Sequence, residues 1–193
     1  MRRRHLLAIG AVAIATVAVA AQRPPKAAAA ATGGGAAAPA GGFRFRGITG
    51  SEIALDEWRG QPVLVVNTAS RCGFTSQYED MQALYDRFRA RGLVVLAVPS
   101  DDFNQELGSD AEVAEFCEVN FGLDLPMAGI TRVRGPEAHP FYLWLAREHR
   151  FAPRWNFNKV LIGPDGEMLG SWGSATRPTA RAIVRAVEAA LAG

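Results

Sequence analysis

The chain has 193 residues, of which 49% are hydrophobic, and its 21 basic and 19 acidic side chains give a formal net charge of +2. This composition is typical of a globular domain with its own core. Without the three arginines at positions 2–4, the remainder has 18 basic and 19 acidic residues, a net charge of −1. A near-neutral body excludes an electrostatic basis for binding nucleic acid, so we expect no nucleic-acid partner.

Residues 1–21 have the three-part pattern of an export signal: a basic start, an apolar run from Leu6 to Ala21, and small residues at its end. The paired arginines loosely resemble a twin-arginine signal without its full pattern. The run has about 16 residues, short for a membrane span of about 20. We therefore expect cleavage, no stable membrane span and an exported, periplasmic protein, which an uncleaved leader would tether to the membrane.

Residues 22–42 are rich in Ala, Gly and Pro and contain no large apolar side chain. Such a segment cannot bury enough surface to offset the entropy lost on ordering. We expect a disordered tether here, and a folded domain over residues 43–193.

Apolar periodicity in the body predicts strands and helices in alternation. "FRFRGI" predicts an edge strand, "PVLVVNTAS" a strand buried on both faces, and Leu93–Val98 a second buried strand. Between the buried strands, helical spacing predicts a helix from about Thr75 that ends near Arg91. Strand, helix and strand in this order predict a right-handed parallel unit.

The second half predicts three more helices and a hairpin. "SDAE" is a capping box that predicts a helix carrying Val113, Phe116 and Cys117 on one face. "HPFYLWLAREH" predicts a third helix, "KVLIGPDGEMLGSW" a hairpin, and "RPTARAIVRAVEAAL" a closing helix with Pro178 near its first turn. This order of elements predicts an α/β, thioredoxin-like fold with a central mixed sheet flanked by helices.

Cys72 lies in "NTASRCGFTSQYED", between a buried strand and a helix. Backbone N–H groups and the positive end of the helix dipole favour a thiolate at such a position. A lone cysteine is otherwise often a small buried hydrophobe. The only other cysteine is Cys117. Two cysteines are too few for a structural zinc site, and no His pair has ligand spacing, so we expect no metal and no cofactor.

The Cys72 segment, extended to "NTASRCGFTSQYEDMQALYDRF", resembles the signature of the glutathione peroxidase family in its cysteine form. Three later segments agree in order and spacing. "VLAVPSDDFNQELGSDAEVAEFC" resembles the family's second motif, "RWNFNKVLIGPDGEML" resembles its tryptophan-asparagine motif, and "TRPTARAIVRAVEAAL" fits its last helix. The resemblance covers the chain from about residue 43 to its end.

The resemblance implies a thiol peroxidase that reduces hydrogen peroxide, organic hydroperoxides or both. Cys72 would be the peroxidatic cysteine, and Gln105, Trp155 and Asn156 would supply N–H donors around it. Neutral donors can stabilise both the thiolate and the oxyanion that leaves when the O–O bond breaks. The second motif departs from the family's pattern at Ser100 and Leu107 and is one residue shorter, and a shorter loop can displace the Gln105 amide.

Cys117, in "AEFC", resembles the resolving cysteine of the family's thioredoxin-dependent members. It would form a disulfide with Cys72, and an external dithiol would reduce that disulfide. A disulfide needs Cα atoms about 4.4–6.8 Å apart, so we expect residues 108–121 to unfold locally on oxidation. The chain lacks the long insertion of tetrameric relatives that use glutathione. We therefore expect a monomer and a thioredoxin-like reductant, with glutathione as the alternative.

Other functions remain open on the residues alone. A thiol–disulfide oxidoreductase requires Cys-x-x-Cys, but "CGFT" has Thr75 at the second position. A cysteine hydrolase would pair Cys72 with His139 or His149. A copper chaperone of this fold requires two close cysteines. A peroxide sensor would use Cys72 and Cys117 to pass oxidation to a partner protein, and is the main alternative to a peroxidase.

Overall fold

The computed structural model describes residues 42–192. The expected export signal (1–21) and tether (22–42) lie outside this range except for Gly42, so their predicted nature stays a prediction. Among the described residues, no helix is both long and apolar enough to cross a bilayer.

The described chain contains strands, helices and two short 3₁₀ turns. The strands are β1 (Arg44–Arg46), β2 (Glu52–Ala54), β3 (Val63–Thr68), β4 (Val94–Pro99), β5 (Lys159–Ile162) and β6 (Met168–Trp172). The helices are α1 (Gln77–Phe88), α2 (Asp110–Phe121), α3 (Pro140–His149) and α4 (Arg181–Ala190), and the 3₁₀ turns are Leu55–Trp58 and Arg89–Arg91.

Four strands form the main sheet in the order β4-β3-β5-β6. β3 is parallel to β4 and antiparallel to β5, and β5 and β6 form the predicted hairpin. Because β3 and β4 are parallel, their carboxyl ends meet at one edge of the sheet, where the loops after Thr68 and Pro99 begin. This edge carries the cysteine loop, residues 69–76, and the glutamine loop, residues 100–109.

Helices cover both faces of the sheet, and alternate residues of each strand enter different cores. Leu64 and Val66 of β3 join a core formed with α1, α2 and α4, which also contains both cysteines. Val63 and Val65 join a second core on the opposite face, formed with α3 and the β1–β2 ribbon. The prediction of a mixed sheet flanked by helices is confirmed.

β1 is an edge strand as predicted, but it pairs with β2 in a separate two-stranded ribbon and not with the main sheet. Two predicted helix starts shift. α1 begins at Gln77 instead of Thr75, because the chain first forms turns in which an N–H bonds the carbonyl three residues earlier, as at Thr75, Gln77, Tyr78 and Glu79. α4 begins at Arg181, so Pro178 lies in the preceding turn and not in the first turn of the helix.

Candidate active site

Cys72 lies in the cysteine loop, four residues after β3 ends, and only 6% of its surface is exposed. Its Sγ accepts a hydrogen bond from the backbone N–H of Phe74 at 3.5 Å. Its carbonyl accepts from the N–H of Thr75 at 3.0 Å and also from the Thr75 hydroxyl. The Thr75 side chain thus completes the turn that leads into α1, and the sulfur accepts one backbone amide just before the helix.

Gln105 lies in the glutamine loop, and its carbonyl accepts from the N–H of Arg71 at 2.9 Å. Its Oε1 accepts from the Asn156 Nδ2 at 3.0 Å. The shorter second motif therefore still brings the Gln105 side chain to Asn156, and its backbone to the residue before Cys72. Two of the three expected donors meet directly.

Trp155 and Asn156 precede β5, in the segment between α3 and that strand. Asn156 is fully buried, whereas Trp155 is 41% exposed. The indole of Trp155 packs against Phe103 of the glutamine loop, with ring centroids 5.4 Å apart. Trp155 is therefore partly exposed where it packs on the glutamine loop, and Asn156 lies in the interior beneath the surface.

Residues with left-handed backbone flank both donors. Asn104, with φ 54°, precedes Gln105, and Phe157, with φ 57°, follows Asn156. Asparagine tolerates this conformation, but a phenylalanine in it is strained. Such strain persists only where the surroundings fix it and is frequent at active sites. Here the N–H of Phe157 donates to the Asn67 carbonyl at 2.5 Å, and its ring packs edge-on against Tyr78 at 5.3 Å.

Three polar residues that were not predicted from the sequence fix residues 155–158 in place: Asn67, Asn158 and Ser174. The Asn67 Nδ2 donates to the Trp155 carbonyl at 3.0 Å, and its Oδ1 accepts from the N–H of Asn158 at 3.1 Å. Ser174, after β6, donates its hydroxyl to the Asn156 carbonyl at 2.5 Å and accepts from Asn158 Nδ2 at 3.0 Å. The one available signal was Asn67, a polar residue at the end of an apolar strand.

Lys159 is completely buried at the start of β5. Its Nζ donates to Gln77 Oε1 at 2.5 Å and to the Ser174 carbonyl at 3.3 Å. The Nε2 of Gln77 donates to the same carbonyl at 2.6 Å. Burial lowers the pKa of Lys159 to about 7, although Asp80 opposes the shift. These contacts join the first residue of α1 to the loop after β6.

Cys117 lies on α2, 1% exposed, in the same core as Cys72. Both cysteines are free thiols. Burial raises the pKa of Cys117 to about 11, partly offset by the Tyr78 hydroxyl. The Ser109 hydroxyl accepts from the Glu112 N–H at 3.3 Å, so the predicted cap of α2 is confirmed. In this reduced form Cys117 is held inside a formed helix.

The two histidines considered for a hydrolase lie elsewhere. His139 caps α3, stacks on Phe45 with centroids 3.9 Å apart, and has its Nε2 2.7 Å from the Arg44 carbonyl. His149 packs edge-on against Trp144. Phe45 and Trp144 belong to the core on the opposite face of the sheet from Cys72. Across residues 42–192, no three His, Cys, Asp or Glu side chains are grouped to hold a metal ion.

A sequence model described as glutathione peroxidase matches residues 42–146. The glutathione peroxidase homologue BsaA of Bacillus subtilis is 39% identical over 141 residues, covering 70% of this chain and 88% of that protein. The chain belongs to the glutathione peroxidase family. The matched range contains Cys72, Gln105 and Cys117, whereas Trp155 and Asn156 lie beyond it.

Two further relatives agree with this membership. Hydroperoxy fatty acid reductase gpx1 of Synechocystis is 39% identical over 148 residues, covering 71% of this chain and 88% of that protein. The crystal structure of Trgpx in apo form superposes with a TM-score of 0.66 at 32% identity, covering 82% of this chain and 98% of that one. The thioredoxin-like fold of the glutathione peroxidases is therefore the fold of this chain.

Proposed function

We propose that this protein is a thiol peroxidase in which Cys72 attacks hydrogen peroxide or an organic hydroperoxide. The proposal rests on the contact between the Gln105 and Asn156 side chains, together with the bond from the N–H of Arg71, next to Cys72, to the Gln105 carbonyl. The Cys72 thiolate attacks the nearer peroxide oxygen, the O–O bond breaks, and the leaving oxyanion takes a proton to become alcohol or water. Cys72 becomes a sulfenic acid. Amide and indole N–H groups of Gln105, Asn156 and Trp155 stabilise the charge that moves from sulfur to oxygen.

We further propose that Cys117 resolves the sulfenic acid. Its thiol condenses with Cys72, forming a disulfide and releasing water, and a thioredoxin-like dithiol then reduces that disulfide. Cys117 is buried in α2, so the proposal includes local unfolding of residues 108–121 after oxidation. The exposure of the last turn of α2 supports such opening, because Val119 is 75% exposed and contributes little buried surface.

Steady-state peroxide reduction with thioredoxin and with glutathione tests both roles. Cys72→Ser should abolish turnover with either reductant, whereas Cys117→Ser should abolish only thioredoxin-dependent turnover. Full activity of Cys72→Ser would exclude its peroxidatic role. Full thioredoxin-dependent activity of Cys117→Ser would exclude its resolving role. Fast oxidation with poor turnover, and a mixed disulfide to one partner protein, would instead favour the peroxide sensor.

A basic depression lined by Arg154, the residue before Trp155, supports anionic organic hydroperoxides as one substrate class. Its volume is about 690 Å³, and Arg134, Arg150 and Arg154 line it. Arg134 also lies over the Phe103 ring at 5.2 Å, next to Trp155. The name of the Synechocystis relative, hydroperoxy fatty acid reductase, points to the same class.

The kinetics of charged and neutral peroxides test this assignment. Replacing Arg150 and Arg154 by Gln should lower kcat/KM for a fatty-acid hydroperoxide about tenfold, while cumene hydroperoxide is unaffected, since two exposed charges contribute about 1 kcal/mol or less each. The difference should shrink at high salt. An equal loss for both peroxides would contradict a role in substrate choice.

The leader supports a further proposal, that the protein is exported to the periplasm. The short link between Cys117 and "DLPM" supports a monomeric mature protein. Cell fractionation and the mature N-terminal sequence test export and cleavage together. A mature N-terminus near Ala21 in the periplasmic fraction is expected. An intact leader in the cytosolic fraction would contradict export, and light scattering of the mature protein checks the monomer.

A further inference from the structure

Glu106, directly after Gln105, is a buried carboxylate that the peroxidase cycle does not use. Only 5% of its surface is exposed. Its Oε1 accepts two backbone hydrogen bonds, from the N–H of Ser70 at 2.9 Å and from the N–H of Leu107 at 2.9 Å. One oxygen atom therefore contacts the cysteine loop and the glutamine loop at the same time.

A second bond connects the same two loops one residue further along. The N–H of Arg71 donates to the Gln105 carbonyl at 2.9 Å. Consecutive residues before Cys72 are thus bonded to consecutive residues of the glutamine loop. On the other side, the N–H of Glu106 donates to Asp101 Oδ1 at 3.1 Å, which fixes Glu106 within its own loop.

The burial of the Glu106 carboxylate costs free energy of folding. Burial raises its pKa, and hydrogen bonds from the Ser70 hydroxyl and from the N–H groups of Leu107 and Ser70 oppose that shift. Its Oε2 and the Ser70 hydroxyl are both buried, and neither has any other partner within residues 42–192. An incompletely bonded buried carboxylate costs free energy. The Oε1 bonds to the two loops are what offset this cost.

We propose that Glu106 is a positioning residue for the peroxide-reducing step. Its Oε1 holds the backbone before Cys72 against the segment that carries Gln105, and so fixes the separation between the Cys72 sulfur and the Gln105 amide. Misplacement of a reacting group by about 1 Å can cost about 100-fold in rate. This inference rests on the proposed function, in which Cys72 is the nucleophile.

A matched pair of variants separates the effect of the hydrogen-bond acceptor Oε1 from the effect of the negative charge of Glu106. Glu106→Gln keeps an Oε1 that can accept both N–H bonds, and Glu106→Met has similar length but no such acceptor. Both remove the negative charge. The measurement is the second-order rate of Cys72 oxidation by hydrogen peroxide, followed in the full chain by stopped-flow fluorescence. Phe141→Leu, in the opposite core, serves as a control for general destabilisation.

We expect Glu106→Gln to stay within about threefold of the wild-type rate and Glu106→Met to fall at least about tenfold. Equal rates for the two variants would overturn the proposal. So would an equal slowing by Phe141→Leu at a matched loss of thermal stability. Failure of the proposed function is distinguishable, because peroxide would then be consumed equally by wild type and Cys72→Ser.

Amide hydrogen exchange tests the link between the loops in the wild-type protein and needs no folded variant. The proposal requires slow exchange at Ser70 and Arg71, whose N–H groups bond the glutamine loop. Exchange at both amides as fast as in an unstructured peptide would overturn it.

Discussion

Asn156 is the expected donor with the most specific surroundings. It is fully buried, its Nδ2 bonds Gln105, and its carbonyl accepts from Ser174. We predict that Asn156→Ala slows Cys72 oxidation by about 100-fold, since loss of one oxyanion donor typically costs that much or more. Stopped-flow oxidation by hydrogen peroxide measures this. Asn120→Ala, an exposed asparagine on α2 that bonds the Phe116 carbonyl, is the control and should oxidise at the wild-type rate.

The two thiols should differ strongly in reactivity. The pKa of Cys117 is raised to about 11 by burial, so its thiolate fraction near neutral pH is about 100-fold below that of an ordinary cysteine. We predict that iodoacetamide modifies Cys72 well before Cys117 in the reduced native protein. Mass spectrometry of time points measures both rates, which should converge in denaturant. Faster modification of Cys117 in the native state would contradict the prediction.

At the residue scale, the sequence was most informative where a residue's role follows from a family motif. Gln105 and Asn156 were predicted from separate motifs, and the structure brings their side chains into contact. Ser174 and Glu106 could not be predicted, because each is identified by the backbone group its side chain reaches in another loop. Such partners depend on tertiary packing, and a serine or glutamate in a loop is usually exposed.

Among the elements, α2 carries the proposed resolving cysteine, and its first turn depends on one side chain. Ser109 accepts from the Glu112 N–H and donates to the Glu112 carboxylate at 3.0 Å. We predict that Ser109→Ala destabilises α2 by about 1 kcal/mol and so speeds disulfide formation up to about fivefold. The rate of Cys72 oxidation should not change.

Rapid mixing with one equivalent of peroxide, followed by acid quenching and mapping of the disulfide, measures the Ser109→Ala effect. Ser171→Ala, an exposed serine on β6, is the control. A disulfide that forms at the wild-type rate in Ser109→Ala would show that opening of the first turn does not limit resolution.

At the scale of elements, periodicity predicted the central strands, α2 and α3 well, because each has a clear apolar face or a cap. It did not identify the partner of β1, since an alternating strand shows which side is buried but not which strand it pairs with. The start of α1 was displaced because the Thr75 hydroxyl bonds the Cys72 carbonyl. That local bond favours a turn over regular helix.

For the whole molecule, buried Lys159 couples stability to pH. Its folded pKa of about 7 lies below its ordinary value of 10.5. Between these values the unfolded chain binds a proton that the folded chain does not, so the free energy of unfolding should rise with pH over this window. Below about pH 7 both states are protonated and this gain is absent. Each pKa unit corresponds to about 1.4 kcal/mol, so the rise should amount to a few kcal/mol at most.

Comparison with Lys159→Met isolates this contribution, because all other titrating groups are shared. Urea unfolding at several pH values from about 6 to about 10 measures the free energy of unfolding of both proteins. The free energy of unfolding of the wild type should increase relative to that of Lys159→Met as the pH rises. Parallel curves would show that Lys159 has the same pKa in the folded and unfolded states.

The arrangement of the sheet and helix layers was predictable from the sequence. Which side of the sheet each cysteine and histidine lies on was not. Both cysteines lie in the core on the α1, α2 and α4 side of the sheet, whereas His139 and His149 contact the opposite core. From the sequence alone, a histidine partner for Cys72 stayed open. The sheet itself separates these groups, and that separation depends on which side of the sheet each helix crosses.

Under the proposed resolving role, the burial of Cys117 in the same core as Cys72 would set thermal stability against catalytic turnover. If disulfide formation requires α2 to open, each catalytic cycle must transiently expose apolar surface that otherwise holds the domain together. Variants selected for resistance to heat should then accumulate the sulfenic acid and over-oxidise more readily at high peroxide. Higher stability of the fold and a longer catalytic lifetime would then oppose each other, because both depend on how tightly α2 packs.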